Sequence, residues 1–496
     1  MTRPFVRTLC AAASLFAFGY ALSRWLTKDS DENRCCGGSC QSKTPTKKSE
    51  GGRTNSPNMI PGQAKVYLHT YGCAHNSSDA EYMLGLLSQF GYQIVDTWEE
   101  ADAVILNSCT VKNPSQEAAM TLVQRAKSAG KAIIVGGCVP QADRNVKGWH
   151  DVSMIGVTQI DRIVEVVGES LKGNVVKMLE KSELPSLDLP KIRRNDLVEI
   201  IPLSTGCLGR CTYCKTVQAR GKLGSYVLEA ILSRVRQAVN ENVQQIWLTS
   251  EDTGAYGIDL GLNVIDLLTA IRDEVMSNPL ARQNNVMVRV GMTNPPYILE
   301  HLEDMANILK SECFFEFLHI PVQSGSNAVL SSMMRDYTVE EFCQVCDYLR
   351  EHVPHIYLGT DVICGFPTEK DDDHKFTLDL LDHYKFEMIN ISQFYPRPGT
   401  PAAKLQQLNT KTKKSRSREV TALTKAIPSK HAHLVGKTVD VWFSEPSDRS
   451  DHTVGHTKQY VKVLVPTDTG LIGTKRSVHI DSFSKWHITG HVTECS

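Results

Sequence analysis

Three cysteines that lie close together, Cys207, Cys211 and Cys214 in the stretch STGCLGRCTYC, are the residues best suited to chemistry. Three thiolates at this spacing can bind three irons of a [4Fe–4S] cube and leave the fourth iron open. An open iron is what a redox enzyme needs where a substrate or cofactor binds the cluster directly. An incomplete zinc site is the alternative, whereas two CxxC pairs would indicate a closed zinc site. We call these three residues the downstream triplet.

Three more cysteines, Cys73, Cys109 and Cys138, form an upstream triplet that is widely spaced in the sequence. Each follows a predicted strand within a few residues; these strands are Lys65–Thr70, Ala103–Asn107 and Lys131–Val135. Because the carboxyl ends of parallel strands gather at one edge of a sheet, we expect the upstream triplet to converge there. The alternative is three structural cysteines, since free cysteine is often buried.

The elements that must position both triplets alternate between strands and helices, which predicts an α/β chain of three folded domains. Residues 63–172 predict a parallel sheet with helices on its faces. Residues 193–428 predict a partial or complete (βα) barrel, with catalytic groups at the carboxyl ends of its strands. Residues 430–494 contain short strands without helices, which indicates a small antiparallel β-barrel. The predicted central strands are Val198–Leu203, Gln245–Thr249, Val286–Val290, Phe315–Ile320, Tyr357–Val362 and Met388–Phe394.

The N-terminal region, residues 1–28, contains an uncharged apolar run from Thr8 to Ser23 between flanking basic residues. This run is shorter than the about 20 residues of a typical spanning helix. A signal peptide, a short signal-anchor and a mitochondrial targeting segment are the alternatives. Secretion would expose cluster thiolates to oxidation, so we predict a membrane anchor with the rest of the chain in the cytosol.

The polar stretch 29–62 predicts a flexible linker and carries Cys35, Cys36 and Cys40. These thiols could form a third metal site, accept palmitate or be incidental. The total of 15 cysteines in a long chain favours metal or redox chemistry in a reducing compartment. The net charge of −1 gives no global attraction to nucleic acid. A basic run could contact phosphate or form a solvated helix face; its residues are Lys411, Lys413, Lys414, Arg416 and Arg418.

Several motifs in the same order resemble the radical S-adenosylmethionine methylthiotransferases. YGCAHNSSDAEYM, LNSCTVKNP and GGCVPQAD look like the three cluster-binding segments of that family's N-terminal domain, and STGCLGRCTYC looks like its radical-SAM motif. LHIPVQSGS, TDVICGFP and FYPRPGTPA look like its later barrel motifs, and the terminal barrel is similar to the RNA-binding TRAM module. The resemblance covers nearly all of the chain from Lys65 to the C-terminus.

Three further segments resemble the eukaryotic and archaeal branch of that family: TSEDTGAYG at Thr249–Gly257, GMTNPPYILEHLE at Gly291–Glu303 and KTVQARGKL at Lys215–Leu223. The resemblance implies an enzyme that methylthiolates C2 of N6-threonylcarbamoyladenosine at position 37 of tRNA, next to the anticodon. Alternatives are another tRNA adenosine such as isopentenyladenosine, a protein side chain, or an iron–sulfur RNA-binding protein without catalysis.

The resemblance also implies the cofactors: two [4Fe–4S] clusters and S-adenosylmethionine. The downstream triplet would bind the first cluster, whose open iron chelates S-adenosylmethionine. Reductive cleavage then gives a 5′-deoxyadenosyl radical that can abstract hydrogen from an aromatic C–H bond. The upstream triplet would bind a second cluster, at which a sulfur atom is held, methylated and delivered. The implied partners are tRNA, an electron donor and a sulfur donor.

Four residues are predicted to contact S-adenosylmethionine, each with a structural alternative. Tyr213 would lie over the adenine edge, or be a core tyrosine. Ser250 and Glu251 would accept hydrogen bonds from the ammonium group, or the segment Ser250–Asp252 would cap a helix. Arg289 would pair with the carboxylate, or with a carboxylate of the protein. The remaining barrel cysteines are predicted to be core or surface residues: Cys313, Cys343, Cys346 and Cys364.

Localisation follows the resemblance only in part. Animal members of the family are often anchored in the endoplasmic reticulum by a C-terminal tail, whereas this chain carries its apolar segment at the other end. We expect a membrane anchor, in the endoplasmic reticulum in first place, with cytosolic catalytic domains. The mitochondrial outer membrane, mitochondrial import and a cytoplasmic location are the alternatives.

Overall fold

The computed structural model describes residues 63–110 and 113–493. The predicted anchor, the linker and its three cysteines lie outside the described residues. Within the described ranges, no single helix has both the length and the apolar character needed to cross a membrane. One helical pair, Thr253–Leu260 with Val264–Ser277, passes by length and composition but is bent by 103°.

The first part of the chain is the predicted parallel sheet, and it has six strands in the order β2-β1-β3-β4-β5-β6, of which the sequence predicted β1, β3 and β4. Its strands are β1 Lys65–Thr70, β2 Gln93–Ile94, β3 Ala103–Ser108, β4 Ala132–Gly137, β5 Ser153–Ile155 and β6 Lys177–Met178. Its helices are α1 Ala74–Phe90, α2 Asn113–Ser128, α3 Cys138–Ala142 and α4 Ile163–Leu171. Central strand β3 is buried at every position because helices cover both faces, which explains its continuous apolar sequence.

Six parallel strands of the central part form the predicted partial barrel, in two sheets of three: β11-β10-β7 and β12-β13-β14. A single parallel bridge, between Val288 and Phe314, joins the two sheets. The strands are β7 Val198–Pro202, β10 Gln245–Thr249, β11 Met287–Arg289, β12 Phe317–His319, β13 Tyr357–Cys364 and β14 Met388–Gln393. Two short strands, β8 Ser204–Thr205 and β9 Gly224–Ser225, pair antiparallel outside these sheets.

Helices cover the outer face of the partial barrel and bury one continuous apolar core. They are α6 Leu228–Asn240, α7 Val264–Ser277, α8 Pro279–Gln283, α9 Leu302–Lys310, α10 Asn327–Ser332, α11 Val339–His352, α12 Asp371–Tyr384 and α13 Thr410–Ala426. The short helix that precedes them, α5 Thr216–Arg220, packs through Ala219 against Cys138 instead. The four barrel cysteines outside the triplets lie in this core or pack against it. Cys313, Cys346 and Cys364 are buried, and Cys343 is half-buried on α11.

The predicted basic run lies on α13 and divides between two environments. Lys411, Lys414 and Arg418 are exposed. Arg416 is buried and pairs with Glu369 at 2.7 Å, and the buried Lys413 ammonium lies 5.2 Å from the ring centroid of Phe394. Lys413 and Arg416 therefore neither form a solvated helix face nor lie free to contact phosphate. They join α13 to the segments that follow β13 and β14.

The C-terminal part is a closed five-stranded barrel in the order β15-β16-β17-β19-β18. Its strands are β15 Thr438–Pro446, β16 His452–His456, β17 Lys462–Pro466, β18 Lys475–Phe483 and β19 Ile488–Val492. The small barrel is confirmed, with one departure from a purely antiparallel arrangement: β17 and β19 pair in parallel. A closed ring with an odd number of strands cannot alternate direction throughout, so at least one parallel pair is unavoidable.

The small barrel packs against the amino ends of the central strands, opposite their carboxyl ends. The Trp442 indole N–H donates to the carbonyl of Asn285, just before β11, at 2.9 Å. Tyr460 is on the turn that connects β16 and β17. Its ring contacts Phe315 and Phe317, with ring centroids 4.9 and 5.2 Å apart. The carboxyl ends of the central strands are thereby left for the functional site.

Candidate functional site

The three cysteines of the upstream triplet lie at the carboxyl ends of three neighbouring strands. Cys73 precedes α1 just after β1, Cys109 directly follows β3, and Cys138 begins α3 at the end of β4. Strand β3 pairs with β1 on one side and with β4 on the other. The widely spaced cysteines therefore meet at one edge of the sheet because the three strands are adjacent and parallel.

Close backbone packing holds this edge together. Gly72 has a φ of +115°, and a Cβ atom there would lie 2.6 Å from the Cys109 Sγ. The buried Asn76 amide donates to the carbonyls of Tyr71 at 2.9 Å and Ser108 at 3.0 Å. Its Oδ1 lies 3.6 Å from the Cys138 Sγ. Asn76 was not singled out by the sequence, where it is one polar residue in the first turn of a helix.

The surroundings of Cys73 and Cys138 disfavour free thiolates. Burial raises the pKa of the Cys138 thiol to about 12. The Cys73 side chain reaches solvent, yet the protein atoms packed around it raise the pKa of its thiol to about 11. Both groups are therefore protonated at neutral pH in the absence of metal. Metal binding at such thiols releases protons, because the thiolate is the ligand.

The downstream triplet lies on a loop that the β8–β9 pair closes at its base. At Gly206, φ is +78° and a Cβ atom would lie 2.1 Å from the Lys222 carbonyl oxygen, so only glycine fits. The amide of the next residue, Cys207, donates to the Gly221 carbonyl at 3.3 Å. These contacts fold the loop after β7 back over the carboxyl end of the central sheet.

Each sulfur of the downstream triplet accepts a hydrogen bond. The Gly209 amide donates to Cys207 at 3.3 Å, the Thr216 amide donates to Cys214 at 3.4 Å, and the Arg335 guanidinium donates to Cys211 at 3.2 Å. Hydrogen bonds to the sulfurs are among the features that set the potential of an iron–sulfur cluster. Arg335 was not identified from the sequence, because it lies more than a hundred residues away on the segment after α10.

The donor set of each triplet fits a cluster better than a single metal ion. Across residues 63–110 and 113–493, no three histidine, cysteine, aspartate or glutamate side chains are close enough together to bind one ion. A structural zinc site needs four ligands around one point. In a cluster each thiolate binds a different iron, so the sulfurs stand further apart. Each triplet supplies three thiols, which is the donor set that leaves one iron of a [4Fe–4S] cluster open.

Glu251, two residues after the end of β10, lies beside the residues that surround the upstream triplet. Its Oε1 is 3.0 Å from the His75 Nδ1 and 3.0 Å from the Arg220 Nε. Burial raises the pKa of Glu251, but His75 and Arg220 outweigh it and hold the pKa below its usual range. The Oε2 atom is buried without a hydrogen-bond partner among the described residues. A buried carboxylate oxygen without a donor fits the ammonium group that the sequence predicted for Glu251.

Ser250 and Asp252 flank Glu251 and differ in what they contact. The Ser250 Oγ lies 3.5 Å from the Thr253 Oγ1. The Asp252 side chain does not cap the following helical turn, and accepts hydrogen bonds from the Asn294 backbone at 3.2 Å and side chain at 2.5 Å. Burial raises the pKa of Asp252 to about 6, with Asn294 opposing the shift. The contact of Ser250 with the cofactor stays a prediction.

Arg289 lies among three aromatic rings, and Tyr213 meets one. The Arg289 guanidinium lies 5.1 Å from the ring centroid of Trp247, 4.9 Å from Phe317 and 4.8 Å from Tyr460. Its Nε is buried without a hydrogen-bond partner among the described residues. The Tyr213 ring meets Phe366 edge-on, with centroids 6.4 Å apart. The predicted contacts of Arg289 and Tyr213 with S-adenosylmethionine remain predictions.

Arg220 connects the two triplets and was not assigned a role from the sequence. It ends α5, the short helix after the downstream triplet, yet its Nε donates to the Cys138 Sγ at 3.4 Å. Its Nη2 donates to Asn76 at 2.8 Å and to Asp79 at 2.6 Å. The sequence analysis named Arg220 only as part of the segment KTVQARGKL that resembles the family. The residues next to it do not reveal that this arginine is buried against a distant sheet.

A cavity of about 310 Å³ lies between the amino ends of the central strands and the C-terminal barrel, and neither triplet lines it. Its lining includes Arg350, His355, Tyr357, Glu387, His431 and His433. Lys430 pairs with Glu387 at 2.7 Å within it. The cavity is therefore on the opposite side of the central part from the cysteines.

Two family models match the parts of the chain that hold the two triplets. Residues 65–152 match the Uncharacterized protein family UPF0004, and residues 201–381 match the Radical SAM superfamily. The first match contains the upstream triplet, and the second contains the downstream triplet together with Glu251 and Arg335. The first match ends before β5 and the second begins within β7, so the change from the six-stranded sheet to the partial barrel falls between the two matches.

Curated relatives are similar along most of the chain. A threonylcarbamoyladenosine tRNA methylthiotransferase of Danio rerio is 46% identical over 90% of this chain and 82% of its own length. The Homo sapiens protein of that name is 45% identical over 88% of this chain and 76% of its own length. A probable enzyme of that name from Pyrococcus horikoshii is 35% identical over 86% of this chain and 99% of its own length.

Solved structures share the fold at low sequence identity. The radical S-adenosylmethionine methyltransferase TsrM of Kitasatospora setae, solved with cobalamin and a [4Fe–4S] cluster, has a TM-score of 0.51. It is 14% identical, and the alignment covers 68% of this chain and 74% of the other. At this identity the match supports the α/β architecture alone.

Proposed function

The chain belongs to the threonylcarbamoyladenosine tRNA methylthiotransferases, and from this premise we propose that it converts N6-threonylcarbamoyladenosine at position 37 of tRNA into its 2-methylthio derivative. The observation that carries the proposal is the pair of cysteine triplets, each at the carboxyl ends of parallel strands, with Arg220 reaching from the helix after the downstream triplet to Cys138 and Glu251. A single-cluster enzyme would give the upstream triplet no shared role.

The residues have separate tasks in this reaction. When bound, the two clusters and S-adenosylmethionine supply one-electron reduction, hydrogen abstraction from C2 and the methylthio group. Cys207, Cys211 and Cys214 would hold the first cluster. The free Oε2 of Glu251 would accept a hydrogen bond from the ammonium group of S-adenosylmethionine and so orient it.

The upstream triplet holds the second cluster at a distance that the fold sets through contacts between α3 and α5. Cys138 packs with Ala219 of α5, next to Arg220. Helix α5 directly follows the downstream triplet, so this packing links the two triplets. The link would hold two bound clusters near each other without a shared ligand.

The first experiment measures modified nucleosides in tRNA from cells that lack the chain and from cells that express it. We expect 2-methylthio-N6-threonylcarbamoyladenosine to disappear without the chain and to return with the wild-type protein. Its unmethylthiolated precursor should accumulate. Unchanged modification in the deleted cells would contradict the proposed substrate, and loss of 2-methylthio-isopentenyladenosine instead would indicate the other tRNA substrate.

The second experiment separates the tasks of the triplets with Cys73→Ala. After anaerobic reconstitution, we expect roughly eight irons in the wild-type chain and roughly four in the variant. The variant should still produce 5′-deoxyadenosine but no methylthiolated tRNA. The matched control is Cys343→Ala, a half-buried cysteine outside both triplets, which should keep both activities. Zinc, or iron without cleavage of S-adenosylmethionine, would favour a protein without catalysis.

Residues 1–62 lie outside the described residues. For this segment we propose that Thr8–Ser23 anchors the chain in a membrane, and that this membrane is the endoplasmic reticulum. An uncharged apolar run between Arg7 and Arg24 supports this proposal. The test is microscopy of a fluorescent protein fused to residues 1–62, with a fusion that lacks residues 8–23 as its control. A diffuse signal from the first fusion would refute the anchor, and a mitochondrial signal would replace the endoplasmic reticulum.

A further inference from the structure

Arg220 is held in one orientation by partners from both parts of the molecule. The Nη2 atom donates to Asn76 and Asp79 of α1, and the Nε lies 3.0 Å from Glu251 after β10. The Asn76 Oδ1 must face Arg220, because the Nδ2 of the same amide donates to two backbone carbonyls. Only 2% of the Arg220 side chain is exposed, so the guanidinium has no freedom to turn toward solvent.

The same guanidinium is directed at a sulfur of the upstream triplet. Its Nε donates to the Cys138 Sγ at 3.4 Å, and Cys138 is buried at the end of β4. A positive charge and a hydrogen bond at a cluster sulfur stabilise the reduced state, which carries one more negative charge. Residues around a metal site that contact its ligands also fix the geometry of those ligands.

We propose that Arg220 is a positioning residue for the second cluster: it holds Cys138 in place and raises the reduction potential of that cluster. The inference rests on the proposed function, because it requires a cluster on the upstream triplet. The redox step is the transfer of one electron from a low-potential external donor to the oxidised [4Fe–4S] cluster. No bond is broken and no proton is transferred. Asp79 and Glu251 oppose the effect, because their carboxylates lie 2.6 and 3.0 Å from the guanidinium and partly neutralise its charge.

The experiment measures the midpoint potential of the second cluster alone, in the full-length chain carrying Cys207→Ala, Cys211→Ala and Cys214→Ala. Potentials are obtained by anaerobic titration with dithionite, followed by electron paramagnetic resonance. Arg220→Gln removes the charge, and we expect the ratio of reduced to oxidised cluster at a fixed potential to fall at least tenfold. For a one-electron couple this is a shift of about 59 mV to lower potential.

Two further variants distinguish an electrostatic role from loss of structure. Asp79→Asn leaves the Arg220 charge less neutralised, so the potential should rise. Arg220→Lys keeps the charge, so its potential should stay closer to the wild-type value than that of Arg220→Gln. The matched control is Arg416→Gln, which removes another buried arginine paired with acidic groups and should lower thermal stability without moving the potential.

The outcomes are distinct. A lower potential in Arg220→Gln and a higher one in Asp79→Asn support the inference, as does a loss of iron from a folded Arg220→Gln chain. If Arg220→Gln does not fold, the sign of the shift in Asp79→Asn decides. An unchanged potential with full iron content overturns the role of Arg220 and leaves the proposed function intact. If the triple-cysteine chain binds no iron at all, the second cluster and the inference both fail.

Discussion

The cysteines that bear the chemistry depend on neighbours that bind no metal. Gly72 lets the chain pass directly against Cys109, and Asn76 ties the loops after β1 and β3 through its side-chain amide. In the downstream triplet, the Arg335 guanidinium donates a hydrogen bond to the Cys211 sulfur. These residues supply hydrogen bonds and close approach, so their loss is expected to change the clusters without removing a ligand.

Gly206 tests this dependence at the start of the cysteine loop. In Gly206→Ala the new Cβ would lie 2.1 Å from a backbone oxygen at a positive φ, so we expect a loss of unfolding free energy of about 1–3 kcal/mol. Iron at the downstream triplet should fall with it. Chemical denaturation and iron analysis measure both. Gly224→Ala is the control, because a Cβ there meets no atom within 4 Å; an equal loss in both variants would contradict the argument.

At the scale of elements, strand β7 carries a buried carboxylate that joins three segments. Glu199 is fully buried and pairs with Lys191 at 2.8 Å, Arg193 at 2.5 Å and Arg234 at 2.8 Å. Lys191 also lies 3.2 Å from Glu81 of α1. The segment between the first sheet and the partial barrel, which carries Lys191 and Arg193, is therefore joined by ion pairs to α1 and to β7. Removing one partner of a buried ion pair destabilises the fold strongly, because the other charge stays buried and unpaired.

We predict that Glu199→Gln lowers the free energy of unfolding by about 3–5 kcal/mol, because buried cations lose their counter-charge. Denaturant titration measures this change. Glu165→Gln is the control, since it breaks a surface pair and should cost less than about 1 kcal/mol. Similar losses in the two variants would contradict the prediction.

The same carboxylate predicts a dependence of stability on pH. Burial alone would raise the pKa of Glu199, but Lys191 and Arg234 outweigh it and hold the pKa at about 2, below the ordinary value of 4.5. A depressed carboxyl pKa stabilises the fold above pH 4.5, and this contribution is lost as pH falls from 4.5 toward 2. It amounts to about 3 kcal/mol. Unfolding measured across this range should show a smaller acid-induced loss in Glu199→Gln than in the wild type.

At the scale of the whole molecule, the C-terminal barrel has two roles. It closes the amino end of the partial barrel, and it exposes aromatic rings to solvent. Tyr460 fills the amino end of the partial barrel against Phe315, Phe317 and Arg289. On the outside, Trp486 and Phe483 are about half exposed, next to Lys485. Exposed aromatic rings beside a cation are suited to stacking on unpaired bases, which supports the predicted RNA-binding role of this barrel.

Two substitutions separate the packing role of the C-terminal barrel from its role in RNA binding. Tyr460→Ala should lower the free energy of unfolding by about 2–4 kcal/mol, because it removes a ring packed between two domains. Trp486→Ala should change stability by less than about 0.5 kcal/mol and weaken tRNA binding by about 1–3 kcal/mol. Thermal unfolding and binding of tRNA in a filter assay measure the two effects. Unchanged tRNA affinity in Trp486→Ala would exclude that face as the RNA contact.

The sequence by itself determined the order of elements, the two triplets and the family. Alternating apolar strands and helices specify parallel sheets, and the topology of parallel sheets brings strand ends together, so Cys73, Cys109 and Cys138 were predictable as a set. Glu251 was predicted in the same way, from its position after a strand. The domain boundaries follow from the same periodicity and remain predictions at the residue level.

Only the tertiary structure decided which distant groups complete the site. Arg220 reaches Cys138, and Arg335 reaches Cys211, across long stretches of chain. Arg289 came to lie among three aromatic rings, one of them from the C-terminal barrel. The physical reason is that periodicity shows which face of an element is buried but not which element covers it. The partners of a long, flexible cation are fixed only when the sheets and the barrel have packed.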